Sequence, residues 1–156
     1  MSKQPLALTM WGKLADKPGG KWLFSKAIAQ KAPYFSTINP KFEELAVGRV
    51  VVTSKLRRAV TNHIGTFHAI AMCNMAEVAG GLLTEISIPQ THRWIPKGMT
   101  VQYLKKAETN LRAVAEVNPL PKFAEGMDWV VPVDVYDTRG QIVFHADITM
   151  RVSPKK

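Results

Sequence analysis

Residues 62–81 read NHIGTFHAIAMCNMAEVAGG, and this stretch decides the fold. It starts as a polar turn and continues as a helix that is apolar almost all the way round. A helix of that composition needs cover on every side, so we expect a long central helix over residues 68–84. A sheet and a second subunit are its candidate covers. Its one acidic residue, Glu77, is unusual there, because burying an unpaired carboxylate costs on the order of several kcal/mol or keeps the group protonated.

The segments before this helix predict two short helical pieces and a hairpin. Residues 1–20 are typical of a loosely held arm or short helix that ends in a Lys-Pro-Gly-Gly turn. Residues 22–32 have the apolar spacing of a short amphipathic helix. Residues 42–53 are rich in valine and predict one or two strands, with a turn or bulge at Gly48.

The segments after the helix predict a run of antiparallel strands. Alternating apolar and polar residues mark four of them, at residues 99–104, 111–117, 129–136 and 142–152. In the last strand, strict alternation places Val143 on the same face as His145. Helices that are segregated from a meander of strands indicate an α+β domain. We divide the chain into an N-terminal arm with a short helix, residues 1–39, and a main domain, residues 40–156.

The composition is that of an ordinary globular protein. The chain has 156 residues, of which 46% are hydrophobic and 21% charged, enough for one buried core. We predict no membrane span, since no apolar run approaches about 20 residues. The N-terminus is too polar for a secretory signal, and the single Cys73 cannot form an internal disulfide, so we expect a cytoplasmic protein.

The net charge of +9 suggests an anionic partner, such as nucleic acid, anionic lipid or a phosphorylated cofactor. The 21 lysines and arginines are scattered, however, and no zinc-finger spacing, aromatic RNA-binding strand or basic helix accompanies them. We therefore interpret the charge as a solvated basic surface and predict no nucleic-acid partner.

Small residues surround Glu77 on the predicted helix. Its neighbours three and four positions away are Cys73, Asn74, Gly80 and Gly81. Two glycines inside a helix each cost about 1 kcal/mol relative to alanine, and they permit close approach of a backbone or a ligand. A carboxylate beside such a patch suits a small acyl group and the nucleophile that attacks it.

The start of the same helix predicts a place for a carbonyl oxygen. Its first turn presents free backbone N–H groups and a partial positive charge, so the N–H of Ala69 or Ile70 is a candidate donor to an oxyanion. Asn62 is a candidate for orienting a water or the substrate carbonyl, and Gly65 lets the turn pass close to a ligand. Glu77 lies roughly 13 Å further along the helix axis. The substrate must lie along the helix, or a second subunit must supply one of the parts.

These residues resemble a known family. Asn-x-x-Gly-Thr-x-His, followed nine positions later by an acidic residue, resembles the PaaI-like hotdog-fold acyl-CoA thioesterases and, more closely, the DUF4442 family of hotdog proteins. The string HRWIPKGMTVQYLKKAE at 92–108 resembles that family's strand after the central helix. The resemblance implies a hotdog fold, in which an antiparallel sheet of five to six strands wraps a long central helix. It also implies homodimers that often pair into homotetramers, with active sites at the dimer interface.

The resemblance assigns roles residue by residue. Glu77 corresponds to the carboxylate that activates water or attacks the thioester, and the Ala69 N–H to the donor that holds the thioester oxygen. Asn62 and His68 correspond to polar residues that position the substrate and the attacking water. The implied catalytic set is Glu77, Asn62, His68 and Ala69, and the implied substrate-binding set is Gly65, Thr66, Gly81, Arg93 and Lys105. No cofactor is implied beyond the coenzyme A of the substrate, and His68, Glu77 and His92 lack metal-ligand spacing on one helix face.

The leading hypothesis is a homo-oligomeric hydrolase of acyl-CoA or another thioester. The chain departs from the thioesterase pattern in two ways: His-Ala-Ile at 68–70 replaces His-Gly-Gly, and Glu replaces the usual Asp. The bulkier helix start motivates the alternative of a non-catalytic acyl or acyl-CoA binding protein.

Each candidate residue also has a structural interpretation. Glu77 is then a buried hydrogen-bonding partner, His68 a helix cap and Asn62 a turn residue. For Arg93 and Lys105, as candidates for the phosphates of coenzyme A, the alternative is a solvated strand edge. Cys73 is interpreted as an inert thiol.

Overall fold

The computed structural model describes residues 4–156. In chain order, the helices and strands are α1 (Leu6–Leu14), α2 (Gly20–Lys31), β1 (Lys41–Ala46), β2 (Arg49–Ser54), α3 (Ala69–Ser87), β3 (His92–Tyr103), β4 (Leu111–Glu116), β5 (Met127–Tyr136) and β6 (Ile142–Pro154), with two 3₁₀ helices at Pro33–Ile38 and Arg58–Val60. The six strands form one antiparallel sheet in the order β1-β2-β4-β5-β6-β3. The α+β prediction is therefore confirmed, with β1 and β3 at the two sheet edges.

Helix α3 lies against one face of the sheet and contacts all six strands. It begins at Ala69, one residue after the predicted start, and continues to Ser87, three residues beyond the expected end. Gly80 explains how the helix comes so close to the sheet. A Cβ atom there would lie 2.9 Å from the Cδ1 methyl of Ile148, so a larger residue would have to displace that methyl or the helix. Gly80, in the interior of the helix, therefore allows α3 to pack closely against β5 and β6.

The two N-terminal helices form a second layer beside β1. Gly19 has a φ of +73°, and a Cβ on Gly20 would lie 1.6 Å from the carbonyl oxygen of Leu14, so this turn requires glycine. Trp11 of α1 packs edge-on against Phe24 of α2, with ring centroids 5.1 Å apart. Phe24 in turn packs edge-on against Phe42 of β1 at 5.3 Å. The predicted turn is confirmed, whereas the domain boundary after residue 39 stays a prediction, and residues 1–3 of the predicted arm lie outside the described residues.

The face assignment in β6 is wrong at Val143. Both Val143 and Phe144 are buried, although strict alternation puts them on opposite faces. The cause is a register shift, because Val135 pairs with Phe144 while the next residue of β5 pairs with Ile142. The extra residue is Val143, and its carbonyl oxygen accepts hydrogen bonds from the N–H groups of Leu104 and Lys105. A bulge of this kind cannot be read from hydrophobic alternation.

By length and composition, α3 also meets the requirements of a membrane-crossing helix. In this fold, however, 61% of the qualifying stretch is buried inside the protein. The core helix of a globular domain satisfies the same requirements, so this property gives only weak support for a membrane span.

A charged group lies on the sheet face opposite α3. His145 of β6 pairs with Asp134 of β5 at 2.7 Å and with Asp147 at 3.3 Å. The hydrogen bond to Asp134 raises the pKa of His145 above its ordinary 6.5; burial partly opposes this effect, and Asp147 adds a smaller raising contribution. The imidazolium form of His145 therefore links two carboxylates on adjacent positions of the sheet.

This cluster predicts a pH dependence of stability. Because the pKa is raised in the folded state, the contribution of His145 is fully present below about pH 6.5 and is lost as the pH rises through the raised pKa. Urea unfolding of wild type and His145→Gln at pH 5.5 and 8.5 measures it. We expect the wild type to exceed the variant by up to about 1 kcal/mol more at pH 5.5 than at pH 8.5, a small effect because the group is near the surface. An equal difference at both pH values would contradict the prediction.

Candidate active site

The backbone donors at the start of α3 are only partly occupied. His68 precedes the helix, and its Nδ1 accepts a hydrogen bond of 3.0 Å from the Ile70 N–H. A neutral His68 therefore carries its proton on Nε2. Within residues 4–156, no acceptor contacts the Ala69 N–H. Of the two donors that the sequence suggested, Ile70 is occupied by the helix cap and Ala69 is available.

The turn before the helix is organised by Asn62. Its side-chain oxygen accepts hydrogen bonds from the N–H groups of Ile64 and Thr66, both at 3.1 Å. Its amide nitrogen donates to the Thr66 hydroxyl at 2.8 Å. Gly65 closes the turn with a φ of +79°. The side-chain polar atoms of Asn62 are thus engaged within the turn, and Asn62 and Thr66 together shape the turn that leads into α3.

Glu77 lies on the side of α3 that faces away from the sheet and towards α1 and α2. It is half-buried, so the sequence-based expectation of a fully buried carboxylate is wrong for the single chain. Across residues 4–156 its carboxylate makes neither a hydrogen bond nor an ion pair. Instead it lines a pocket of about 350 Å³ that lies between α3 and the two N-terminal helices. An acidic group in this position is open to a ligand.

Packing at one wall of this pocket explains the second glycine within α3, Gly81. The Trp94 indole of β3 lies across Gly81, and a Cβ there would be 3.0 Å from Trp94 Cη2. Trp94 Nε1 donates a 2.7 Å hydrogen bond to Glu85, which fixes the ring. Gly81 therefore makes room for the tryptophan as well as lining the pocket. The close approach that the sequence predicts at Gly81 is therefore found, and the group that approaches is the Trp94 side chain of the same chain.

The two halves of the predicted site are not brought together in one subunit. Ala69 and Glu77 are eight residues apart on the same helix, which corresponds to a rise of about 12 Å. A carbonyl that touches the Ala69 N–H is therefore out of reach of the Glu77 carboxylate of the same chain.

The two predicted phosphate ligands are also far apart. Arg93 lies near the start of β3, whereas Lys105 follows its end, a separation of more than about 30 Å along the strand. Lys105 donates to the side-chain oxygen of Gln141 at 3.1 Å. Arg93 lies beside a small polar pocket that Glu85 and Lys155 also line. One chain does not present both cations to one ligand.

Sequence reasoning gave no role to two groups near Glu77. Asn74 is 7% exposed, and its amide oxygen has no partner within residues 4–156. It precedes Glu77 by three residues, which places both on one side of the helix. Cys73 contacts the Tyr103 hydroxyl at 3.7 Å, a contact that raises the pKa of Tyr103. The rule that singled out Glu77, a polar group in an apolar helix, also applies to Asn74.

The outer edge of this region is apolar and exposed. Ile70 is 54% exposed and Tyr103 53%, and the Cys73 contact shows that the end of β3 lies beside the second turn of α3. Strand β3 has 12 residues, forms one edge of the sheet and pairs on one side only. Exposed apolar groups beside a long free edge are typical of a surface that another chain covers.

The described residues contain no group of three or more His, Cys, Asp or Glu side chains arranged to hold a metal ion. The charged groups that face the pocket are Glu77, Glu85 and Lys31.

Known structures share this architecture. A structural-genomics crystal structure is 48% identical, with a TM-score of 0.84 over 96% of this chain and 98% of that chain. A Pseudomonas aeruginosa protein described as a probable thioesterase is 21% identical, with a TM-score of 0.74 over 81% of this chain and 91% of its own. A thioesterase from Staphylococcus aureus is 18% identical, with a TM-score of 0.69 over 78% and 99%. No curated protein matches the sequence.

The six-stranded sheet around α3 and the similarity to these structures place the protein in the hotdog-fold class. Residues 20–152 match the family described as Domain of unknown function (DUF4442), and the chain belongs to that family. The predicted family and fold are both confirmed.

Proposed function

We propose that this protein hydrolyses the thioester bond of acyl-CoA or of a similar acyl carrier. The observation that carries the proposal is Glu77, an unpartnered carboxylate on the wall of an apolar pocket in a hotdog fold. Burial beside apolar groups suits a general base, because it reduces the competition from bulk water. The thioesterase descriptions of structures with the same fold agree with this chemistry.

In the proposed reaction, Glu77 takes a proton from a water molecule whose oxygen attacks the carbonyl carbon of the thioester. The C–O bond forms, the carbonyl oxygen becomes negative, and the Ala69 N–H donates to it. The C–S bond then breaks, and the leaving thiolate takes the proton that Glu77 accepted from water, which restores the carboxylate of Glu77. The free amide oxygen of Asn74 is a suitable acceptor for the second proton of the attacking water. Direct attack by Glu77 on the thioester is the alternative route.

The reaction requires two subunits, because Ala69 and Glu77 of one chain are separated by about 12 Å. We infer a homodimer in which β3 strands pair edge to edge and cover Ile70 and Tyr103. Antiparallel pairing about the middle of β3, near Met99, brings Arg93 of one subunit beside Lys105 of the other. These two cations then form one site for the phosphates of coenzyme A. Pairing of such dimers into tetramers is part of the same proposal.

The proposal includes no cofactor beyond the coenzyme A of the substrate. It also includes a cytoplasmic location, with which the free thiol of Cys73 agrees. His68 acts here as the cap that positions the helix start, with Nε2 available as a donor. Asn62, Gly65 and Thr66 act by fixing the turn beside the substrate.

A specific observation favours the second candidate, a protein that binds acyl thioesters without hydrolysing them. The Ile70 N–H is occupied by His68, so of the two N–H groups that the sequence offers to an oxyanion only that of Ala69 is free within the described chain. A lone N–H gives less stabilisation to a tetrahedral intermediate than a pair of donors.

A turnover assay separates the two functions. Saturated acyl-CoAs from C2 to C16 are incubated with the purified protein, and released thiol is measured together with the melting temperature. The hydrolase predicts saturable thiol release by a species that elutes as a dimer or larger. The binding protein predicts a rise in melting temperature without thiol release. Release of thiol at the uncatalysed rate for every chain length would overturn the hydrolase proposal.

A further inference from the structure

We propose that the pocket between α1, α2 and α3 holds the acyl chain of the substrate, and that the N-terminal helices set the preferred chain length. This inference rests on the proposed function, because it assigns the acyl side of the same site. It adds α1, which precedes the family match at residues 20–152, and α2, which lies within that match but outside the motifs at 62–81 and 92–108.

The lining of the pocket suits a hydrocarbon chain. Leu6 and Met10 contribute from α1, Ile28 from α2, and Val78 and Leu82 from α3. Small-molecule pockets are mostly apolar with a few placed polar groups, which is the arrangement found here. A polar ligand would leave its hydrogen-bonding groups without partners along most of this surface.

The charged groups place the reactive end of the ligand at Glu77. Glu85 is engaged by the Trp94 indole at 2.7 Å, whereas Glu77 is without a partner in the described chain. The pocket thus has two carboxylates against the single cation of Lys31. An ionised fatty acid is disfavoured beside two negative charges, and a neutral thioester is not. The same repulsion promotes release of the carboxylate product.

The pocket volume indicates a medium-length chain. A methylene group occupies about the volume of a water molecule, roughly 30 Å³, so 350 Å³ corresponds to about 12 such groups. Helix α1 has no fully buried residue, and its Leu6 is 69% exposed although it lines the pocket. An acyl chain in the pocket would cover this apolar surface, which the described residues leave partly open.

Two variants with opposite effects test the assignment. Met10→Trp fills the pocket from α1, and Ile28→Ala enlarges it from α2. Lys13→Trp adds the same indole to α1 at an exposed position that does not line the pocket, and it serves as the matched control. The probes are S-alkyl thioethers of N-acetylcysteamine from C4 to C16, which cannot be hydrolysed and lack the nucleotide. Binding is measured by calorimetry and by the rise in melting temperature.

We expect the wild-type affinity to increase about three- to fourfold per methylene up to about C10 to C12 and then to level off. Met10→Trp should move the plateau to chains shorter by several carbons, Ile28→Ala should move it to longer ones, and Lys13→Trp should leave it in place. A plateau that is the same in the wild type and all three variants, or an affinity independent of chain length, would overturn the inference. If either pocket variant fails to fold, the shift of the plateau in the other variant still tests the inference.

The two proposals fail in different ways. Alkyl binding with the expected chain-length profile, together with no hydrolysis of any acyl-CoA, supports the pocket and overturns the hydrolase. Hydrolysis whose chain-length preference is identical in Met10→Trp, Ile28→Ala and wild type supports the hydrolase and overturns the pocket.

Discussion

Glu77→Gln is expected to lower kcat for acyl-CoA hydrolysis by about 10²- to 10⁴-fold, the range usual for loss of a general base. Glutamine has nearly the same shape, but it neither accepts a proton from water nor attacks a carbonyl carbon. Because the carboxylate has no hydrogen-bonding or ionic partner in residues 4–156, the substitution should not lower the free energy of unfolding. Initial rates and urea unfolding of the purified variant provide the two measurements.

Two further carboxylate variants make this result specific. Glu108→Gln removes an exposed carboxylate whose nearest cation, in Arg139, is 4.0 Å away, and it should leave turnover unchanged. Glu85→Gln changes the other carboxylate of the pocket, and its amide oxygen still accepts from Trp94. A loss in Glu85→Gln that exceeds the loss in Glu77→Gln would transfer the catalytic role to Glu85. Equal rates in wild type and Glu77→Gln would remove Glu77 from the mechanism.

Ala69→Pro is expected to lower kcat by about 10²- to 10³-fold, because proline removes the N–H that is proposed to donate to the oxyanion. The backbone tolerates the change. Ala69 is the first residue of α3, where proline is favoured, and His68 already has the extended conformation that a following proline requires, with φ −66° and ψ 138°. Helix content by circular dichroism should therefore stay the same while the rate falls.

Mixing the two inactive variants tests whether the site spans two subunits. A heterodimer of Glu77→Gln and Ala69→Pro subunits has one site with both defects and one site with neither. After unfolding and refolding together, we expect the mixture to recover about one quarter of wild-type turnover at equal amounts and random pairing. Each variant treated alone provides the control. No recovery in a mixture that has formed heterodimers would place both groups in one subunit and contradict the proposed arrangement.

The elements that sequence predicted well are those whose pattern is local. The long apolar helix, the valine-rich hairpin around Gly48 and the alternating strands each have a periodicity that follows from backbone geometry. Prediction of the strand face was wrong at Val143, where the bulge depends on how β6 pairs with β5. Neither strand has a local sequence pattern that indicates the register in which the two strands pair.

Only part of the candidate site could be predicted from the sequence. Glu77 and Ala69 were found because a carboxylate and a helix start have distinct chemistry in any context. The hydrogen-bonding state of the Ile70 N–H, the turn formed by Asn62 and Thr66, and the partner of Gly81 all depend on side-chain positions. The pocket itself was missed, because its walls come from segments far apart in the chain and each wall residue is an ordinary apolar one.

The sequence by itself determined the long apolar helix and the place of Glu77 within it, since spacing within a helix fixes which residues share a face. Its resemblance to the DUF4442 proteins indicated the family and the hotdog fold. Only the tertiary structure decided that Glu77 opens onto a pocket beneath α1 and α2 and that Ala69 lies too far away to serve it in the same chain. Distances between elements arise from packing, and packing depends on every contacting side chain at once.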